Sequence, residues 1–441
     1  MGPDLDPKLS QTLNELFNSQ YFHRTWTIQE LAFSSKAVVL WANRAVPWPT
    51  FWGAGQAYFE KASYDTLLRA HGFYIHGMAY GLTHWKALLD SSPFGGISQV
   101  EFLAMARAQK ATDPRDKVFA LQHILKLLGP IGFPDSDYSK STQDVYMAVA
   151  KALVVDTQFN LWGVLHHAVG RQRLRNLPSW VPDWSDDTAV EWPNVALCSQ
   201  TRFPLTTGAV SGKGSKLRVL GKSFGSVEKT TSGYRLPRSS KLVHDLQNGR
   251  AVGWTEVVKG ALERSGKDCD EFCKVIHSEL VARYRDLEQV NSNLQPVIQP
   301  SSDYDAWYQS MGRSSSALLK TMRIKEDVWD SLGPEEKAQR QSWRILGASL
   351  GYAWTILEFG QERQFFSEVS LFTLRGGLLG ASLGGAAVGD VIALLPGLDA
   401  PAILRPREEF FRFVGLVYIF GAMDAKIWKT EGLELEEIVI I

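Results

Sequence analysis

A short acidic and aromatic segment near the start of the chain carries the residues best suited to chemistry. It runs from Tyr21 to Glu30, and at helical spacing one stripe joins Glu30 to three aromatic residues: Phe22, Trp26 and Phe33. A carboxylate among aromatic rings needs a partner or a task, because burying an unpaired charge is costly. Glu30 is therefore either a packing residue paired with an arginine or a backbone donor, or a weak candidate for a catalytic residue.

Two other patterns suggest catalytic or metal sites, and geometry or chain order argues against both. The run from Gly380 to Gly384 matches a nucleophile elbow around Ser382, but hydrolases of that type place the histidine after the serine, and the last histidine is His277. We therefore expect a glycine-rich turn between strands. Cys269, Cys273 and His277 recur every four residues, yet a helix separates the outer two by about 12 Å, too far for one zinc ion. The sequence predicts no metal and no cofactor.

Composition limits the classes of partner. The 441 residues are 45% hydrophobic, which is enough for two or three domains. Lysine plus arginine (47) balances aspartate plus glutamate (47), so no net charge favours nucleic acid or anionic lipid. Three cysteines and the lack of an apolar run in residues 1–10 predict a cytoplasmic protein. The apolar stretch 377–398 is too short and interrupted to span a membrane, and we expect a loop followed by a strand.

Local patterns predict helices in the first half of the chain. Residues 13–33 have helical periodicity, and residues 37–41 form a compact β-prone run, which together resemble half of an α/β unit. Such a strand would have open edges unless other strands cover it. Asp113, Pro114 and Asp116 form a strong helix start ahead of an apolar face that reaches Leu128. Prolines make the segment 177–184 extended, with two tryptophans as anchors.

Strand patterns dominate later. Residues 216–221 and 225–229 predict a hairpin around a glycine-containing turn. Residues 391–395, 402–404 and 410–419 predict further strands, which would form a small sheet or barrel. The helical stretch between the hairpin and these strands would then be an insertion.

Four separated segments together resemble the fungal heterokaryon incompatibility (HET) family. They are residues 22–30, 113–121, 177–184 and a tail that includes Gly389-Asp390, Leu404-Arg405 and residues 418–424. Members of this family act in non-self recognition after hyphal fusion and trigger cell death. The resemblance places these residues in the motifs of the family, without assigning a role to each: Arg24, Trp26, Gln29, Glu30, Asp113, Pro114, Arg115, Asp116, Trp180, Pro182, Asp183, Trp184, Gly389, Asp390 and Arg405.

The sequence also departs from the family pattern. The opening family motifs, an Ala-Leu-Ser-Tyr-X-Trp-Gly strand and a Trp-Ile-Asp segment that ends in Cys-Ile-Asn-Gln, are absent. HET domains resemble Toll/interleukin-1 receptor (TIR) folds, whose parallel sheet comes largely from that part. The resemblance thus implies an N-terminally truncated protein. Ala425-Lys426 stands where the family usually has Gly-Glu, which reverses a charge.

These observations lead to one prediction for the fold and several for the function. We expect an α+β protein with a partial α/β, HET/TIR-like remnant (1–50), a helical region (51–200), a small antiparallel β-sheet or barrel (201–235 and 367–430) and a helical insertion (236–366). Protein association, with possible self-association, in fungal non-self recognition and programmed cell death is the leading function. The alternatives are an NAD or nucleotide hydrolase that uses Glu30, an accessory metabolic enzyme, and a nonfunctional fragment.

Overall fold

The computed structural model describes most of both ends of the chain. The described residues are 7–41, 43–59, 71–84, 98–129, 133–156, 160–169, 174–186, 210–231, 234–235, 368–382, 385–395, 397–398, 400–420, 422 and 434–441, with short stretches between 260 and 333. Two compact units, Met1–Ala189 and Val190–Ile441, divide the chain. The mixed α+β class is confirmed. The predicted insertion, 236–366, lies almost entirely outside the described residues.

The first unit contains helices and one small sheet. Its helices are α1 (Pro7–Phe17), a 3₁₀ helix (Gln20–His23), α2 (Thr25–Ala32), α3 (Trp48–Phe59), α4 (His71–His84), α5 (Gln99–Ala106), α6 (Asp116–Phe119), α7 (Gln122–Leu128), α8 (Thr142–Asp156) and α9 (Asn160–Ala168). Its strands are β1 (Val38–Trp41) and β2 (Arg44–Pro47). No helix in the described ranges is both long enough and apolar enough to cross a bilayer.

Aromatic side chains build the core around α1, α3 and α4. Phe73 lies at its centre, with ring centroids 4.6 Å from Phe17 and 4.8 Å from Trp52. Phe22 and Trp48 belong to the same buried cluster. The rings of Phe73 and Phe22 meet edge to face, and aromatic pairs of this geometry add to the free energy that burial alone provides. The segment before residue 50 is thus anchored by the same core as the helices that follow it, and the predicted boundary at residue 50 passes through that core.

The β-prone run after α2 forms a hairpin instead of half of an α/β unit. Its strand β1 pairs antiparallel with β2, with Val39 opposite Val46 and Trp41 opposite Arg44. Only residues 42 and 43 separate the strands, and a connection this short permits antiparallel pairing alone. Among the described residues, this sheet has two strands. One edge of the predicted open strand is therefore closed locally, and the other keeps no partner there.

The described residues of the second unit form nine strands. They are β3 (Val210–Lys213), β4 (Lys216–Thr230), β5 (Tyr234–Arg235), β6 (Glu368–Leu374), β7 (Leu379–Ser382), β8 (Val391–Leu394), β9 (Ala402–Arg407), β10 (Phe410–Ile419) and β11 (Glu436–Ile440). Because β4 pairs with both β8 and β6, the order β4-β8-β9-β10-β7-β6 returns to β4. These six strands form a closed antiparallel ring. This geometry agrees with the predicted small sheet or barrel.

Two strand predictions in this unit were wrong in detail. Residues 216–229 do not fold back as a hairpin; they form the single long strand β4, whose register shifts on either side of Val227 let it pair with β8 and then with β6. Gly225 lies at one of these irregularities, so the glycine marks a bulge and not a turn. The expected loop within 377–398 contains β7, in which Ser382 is fully buried between β6 and β10.

Candidate functional site

Residues 22–30, the first of the four segments that resemble the HET family, do not form one continuous helix. The 3₁₀ turn ends at Arg24, which is extended (φ −99°, ψ 135°), and α2 begins one residue later. This break changes the helical phase, so Phe22 and Trp26 do not share a stripe. The buried face of α2 consists of Thr27, Ile28 and Leu31 among others.

Glu30 therefore lies on the exposed side of α2, and its predicted burial among aromatic rings was wrong. Phe33 is also exposed, at 51%, and Trp26 is half-buried. The charge of Glu30 acts on Tyr21: the pKa of Tyr21 is raised by its partial burial and by the negative charge of Glu30. Glu30 is placed as a surface carboxylate near a tyrosine.

Backbone and hydroxyl hydrogen bonds hold this segment against its neighbours. The Thr25 amide donates to the Lys110 carbonyl at 3.0 Å, and the Lys110 amide donates to the His23 carbonyl. Thr27 Oγ1 lies 2.7 Å from the carbonyl oxygens of Tyr21 and Arg24. Arg24 thus contributes backbone atoms to the junction between the first segment and the residues before Asp113.

A buried histidine completes this junction. His76 Nε2 lies 2.8 Å from Thr27 Oγ1, and His76 Nδ1 lies 2.7 Å from the Gly72 carbonyl oxygen. That oxygen can only accept, so Nδ1 carries a proton. Burial lowers the pKa of His76 to about 4. A Cβ on Gly72 would lie 2.0 Å from the Phe22 carbonyl oxygen, so this close approach of α4 requires glycine. Gln29, in the same segment, keeps its side-chain oxygen buried with no hydrogen-bond partner among the described residues.

The second family segment forms an ion-pair network at the surface. Arg115 makes a forked contact with the Asp113 carboxylate, at 2.9 Å from Nε to Oδ1 and 2.6 Å from Nη2 to Oδ2. Its Nη1 donates to the carbonyl oxygens of Tyr138 and Lys140. The Tyr138 hydroxyl donates to Asp116 at 2.6 Å. Arg115 and Asp116 therefore bond to the turn that leads into α8, and Asp113 pairs with the Arg115 guanidinium.

The same contacts set the protonation of this network. The side-chain hydrogen bond from Arg115 lowers the pKa of Asp113. Burial, followed by the hydrogen bond to Asp116, raises the pKa of Tyr138 to about 12. The predicted helix start at Asp113 is only partly right, since one turn (α6) and a separate helix (α7) replace the single helix. Pro114 places its carbonyl oxygen 2.6 Å from the Tyr146 hydroxyl.

Two cations are buried where the second and third family segments meet. The Lys117 ammonium group donates to the Arg107 carbonyl at 2.7 Å and to the Gln109 carbonyl, at the C-terminal end of α5. Helix ends expose unpaired carbonyls and a partial negative charge, so an ammonium group there is stabilising. Arg107 donates to the Asp183 carbonyl at 2.8 Å, and its guanidinium lies 5.3 Å from the centroid of the Trp184 ring.

The third family segment is irregular, as its prolines predicted, and it is buried. Trp180 and Trp184 are 0% and 1% exposed, and Pro182 is buried. The Asp183 carboxylate accepts hydrogen bonds from the amides of Leu174 and Ser185. Its oxygens thus close the local turn. The segment is therefore part of the buried interior of the first unit.

Two titratable groups near this buried segment have shifted pKa values. Burial raises the pKa of Tyr146 above its usual range, and the charge of Asp183 acts in the same direction. Burial and the positive charge of Arg107 lower the pKa of His166 to about 3. Sequence reasoning did not select Arg107, Lys117, Tyr146 or His166. No spacing in the sequence marks them, because their partners lie on other elements.

The fourth segment contains an ion pair between Asp390 and Arg405 in the second unit, which we call the clasp. Arg405 on β9 donates to both oxygens of Asp390, at 2.8 and 2.9 Å, and to the Gly385 carbonyl at 3.1 Å. Asp390 is 1% exposed and also accepts from the Ala387 amide. Gly389 has φ +88°, a conformation that favours glycine. The contact raises the pKa of Arg405. This pair closes the loop that leads into β8.

The remaining candidates do not gather into a reactive site. Ser382 is buried in a strand and does not occupy an exposed elbow. Cys269 and Cys273 lie outside the described residues, and His277 packs against Tyr304. Within the ranges that the structure describes, no three His, Cys, Asp or Glu side chains converge as a metal site requires.

Comparison of the chain with protein-family models, curated proteins and solved structures found no match. The description of the site therefore depends only on the geometry of this structure. This geometry brings the first three family segments together through Lys110, Lys117 and Arg107. The charged side chains of Arg107, Arg115 and Lys117 bond to the protein's own backbone and side chains, an arrangement that stabilises packing.

Proposed function

We propose that this chain is a heterokaryon-incompatibility-type protein of fungi that acts by protein association, not catalysis, in cytoplasmic non-self recognition and programmed cell death. One observation supports it above the others: several charged residues of the four segments pair with each other inside the protein, such as Asp113 with Arg115 and Asp390 with Arg405. Groups used in this way hold a surface in shape. A catalytic group would instead face a space where a substrate can bind.

An exposed apolar region supports association. Leu40 is 78% exposed, Val38 53% and Trp41 46%, and all three lie on β1. Phe33, which precedes the hairpin, is 51% exposed. Contiguous exposed apolar residues of this kind are typical of interaction surfaces. Strand β1 of the hairpin is therefore the surface that we assign to a protein partner.

The nucleotide-hydrolase alternative depends on Glu30. A glutamate that stabilises charge on a ribose needs a site that excludes water around it. Glu30 instead lies on the exposed side of α2, beside the partly exposed Tyr21. The surface position favours association over nucleotide cleavage.

Inducible expression in a filamentous fungus tests the proposal, with hyphal viability measured by dye exclusion and cellular NAD measured in the same cultures. We expect the chain to reduce viability without loss of NAD before death. Glu30→Gln should kill as efficiently as the unchanged chain, and Glu15→Gln, on the exposed face of α1, is the matched control. If Glu30→Gln does not reduce hyphal viability at equal protein level while Glu15→Gln does, the result would support the hydrolase. No loss of viability from the unchanged chain would contradict the proposed role.

A further inference from the structure

We infer that β1 pairs, edge to edge and antiparallel, with β1 of a second copy of this chain, which creates a four-stranded sheet across a two-fold axis. This inference names the partner for the association proposed above and rests on that proposal for its biological meaning. Four features of the hairpin carry it: the direction of its backbone groups, its outer face, its asymmetry, and its self-complementarity.

The direction of the backbone groups follows from the pairing. The Trp48 amide donates to the Ala37 carbonyl at 2.9 Å, which makes this opposed pair a hydrogen-bonded one. Hydrogen-bonded and non-hydrogen-bonded pairs alternate along an antiparallel ladder. Val38 and Leu40, opposite Pro47 and Ala45, are then non-hydrogen-bonded. Their N–H and C=O groups point away from β2 and have no partner among the described residues.

The outer face of the hairpin is apolar. Val39 and Val46 oppose each other and pack against the aromatic core. Residues on alternate positions face the other side. Those residues are Val38, Leu40, Ala45 and Pro47, and all four are exposed. This face has no charged side chain that would oppose contact with a similar face.

The two edges of the hairpin differ. Strand β2 carries Arg44 and ends in Pro47, whose nitrogen cannot donate a hydrogen bond on the outer edge. Charged residues and proline are the features that protect strand edges from pairing. Residues 37–41 contain neither. Each copy thus offers one open edge, and pairing through one edge per copy stops at two copies.

The open edge is complementary to itself. A two-fold axis at Val39 sets Val38 opposite Leu40 of the second copy and Val39 opposite its own equivalent. In this register the outward groups of Val38 and Leu40 form four N–H···O bonds between the copies. No charged side chain on the strand meets a like charge. A contact limited to this edge and its flanking apolar residues falls at or below roughly 1,200 Å², so the dimer should be weak and concentration-dependent.

Sedimentation of the purified full chain between about 5 and about 200 µM tests the pairing. We expect the average mass to rise from 49.2 kDa towards twice that value. Leu40→Pro removes an outward donor and keeps the internal ladder, so the dissociation constant should increase roughly tenfold to a hundredfold. Ala45→Pro, directly opposite on the protected edge, is the matched control and should dimerise normally. Equal effects of the two prolines, or none, would overturn the pairing.

Cysteine cross-linking tests the register without weakening the edge. Val39→Cys places two thiols opposite each other at the two-fold axis, in a non-hydrogen-bonded pair whose spacing suits a disulfide. We expect rapid covalent dimerisation under mild oxidation. Val46→Cys, on β2 at similar burial, should not exceed the background from the three native cysteines. Equal cross-linking of both variants would overturn the inference.

The viability assay separates the two proposals. A chain that stays monomeric at the highest concentration and still kills hyphae overturns self-pairing and leaves the proposed function intact. A chain that cross-links through Val39→Cys but kills no hyphae supports the pairing and contradicts the proposed function.

Discussion

Removing Arg405 should destabilise the second unit measurably. In Arg405→Met the Asp390 carboxylate stays buried and loses both guanidinium bonds. Removing one partner of a buried ion pair costs about 3–5 kcal/mol. Solvent reaches the Arg405 side chain, which is 30% exposed, and Asp390 keeps the Ala387 amide, so we expect about 2–3 kcal/mol. For a unit of this size that corresponds to about 5–10 °C in melting temperature.

Calorimetry of the full chain measures this shift, and hydrogen exchange at β8 and β9 locates it in the correct unit. Arg412→Met is the matched control, because Arg412 lies opposite Arg405 in the β9–β10 register and is exposed. It should shift the melting temperature by about 2 °C or less. Adding Asp390→Asn to Arg405→Met should recover part of the loss, since it removes the unpaired charge. A loss of stability below about 1 kcal/mol in Arg405→Met would refute the clasp.

Three further predictions concern the interior of each unit. A Cβ on Gly380 would lie 2.3 Å from the Phe372 ring, so Gly380→Ala should cost about 1–3 kcal/mol in a thermal melt; a change below about 0.5 kcal/mol would contradict it. Lys117→Met removes the ammonium donor to two carbonyls at the end of α5, so urea unfolding followed by tryptophan fluorescence should show a loss of about 2–3 kcal/mol; an unchanged midpoint would contradict it. His76 binds a proton more weakly when folded, so stability should fall as pH decreases from about 6.5 to about 4, by up to roughly 3 kcal/mol, with His166 acting in the same direction. His76→Asn should flatten this slope, and an unchanged slope would contradict the assignment.

The later strands could be predicted because their patterns are local. Residues 410–419 are rich in aromatic and β-branched side chains, and they form β10. The error at 216–229 has a physical cause: Gly225 looks like a turn in the sequence, but partners on both sides hold β4 extended through the bulge. Whether a glycine bends or reverses a strand depends on strands that lie far away in the sequence.

The site was harder to predict, because its contacts are long-range. The periodicity argument for Glu30 assumed one helix, and the extended backbone at Arg24 changed the phase. Arg107 meets Asp183 across 76 residues, and His76 meets Thr27 across 49. No local pattern marks such pairs. For Asp390 and Arg405, the sequence showed only that both residues occur in the fourth segment that resembles the HET family. It did not predict that they pair.

The central claim is that the exposed strand β1, and not a catalytic residue, carries the activity. Hyphal viability after induced expression of Leu40→Lys, compared with Ala45→Lys at matched protein level, tests it most directly, because the two residues are opposed in one hairpin and both are exposed. The account expects Leu40→Lys to lose the killing activity and Ala45→Lys to retain it. Full killing by Leu40→Lys would contradict the account.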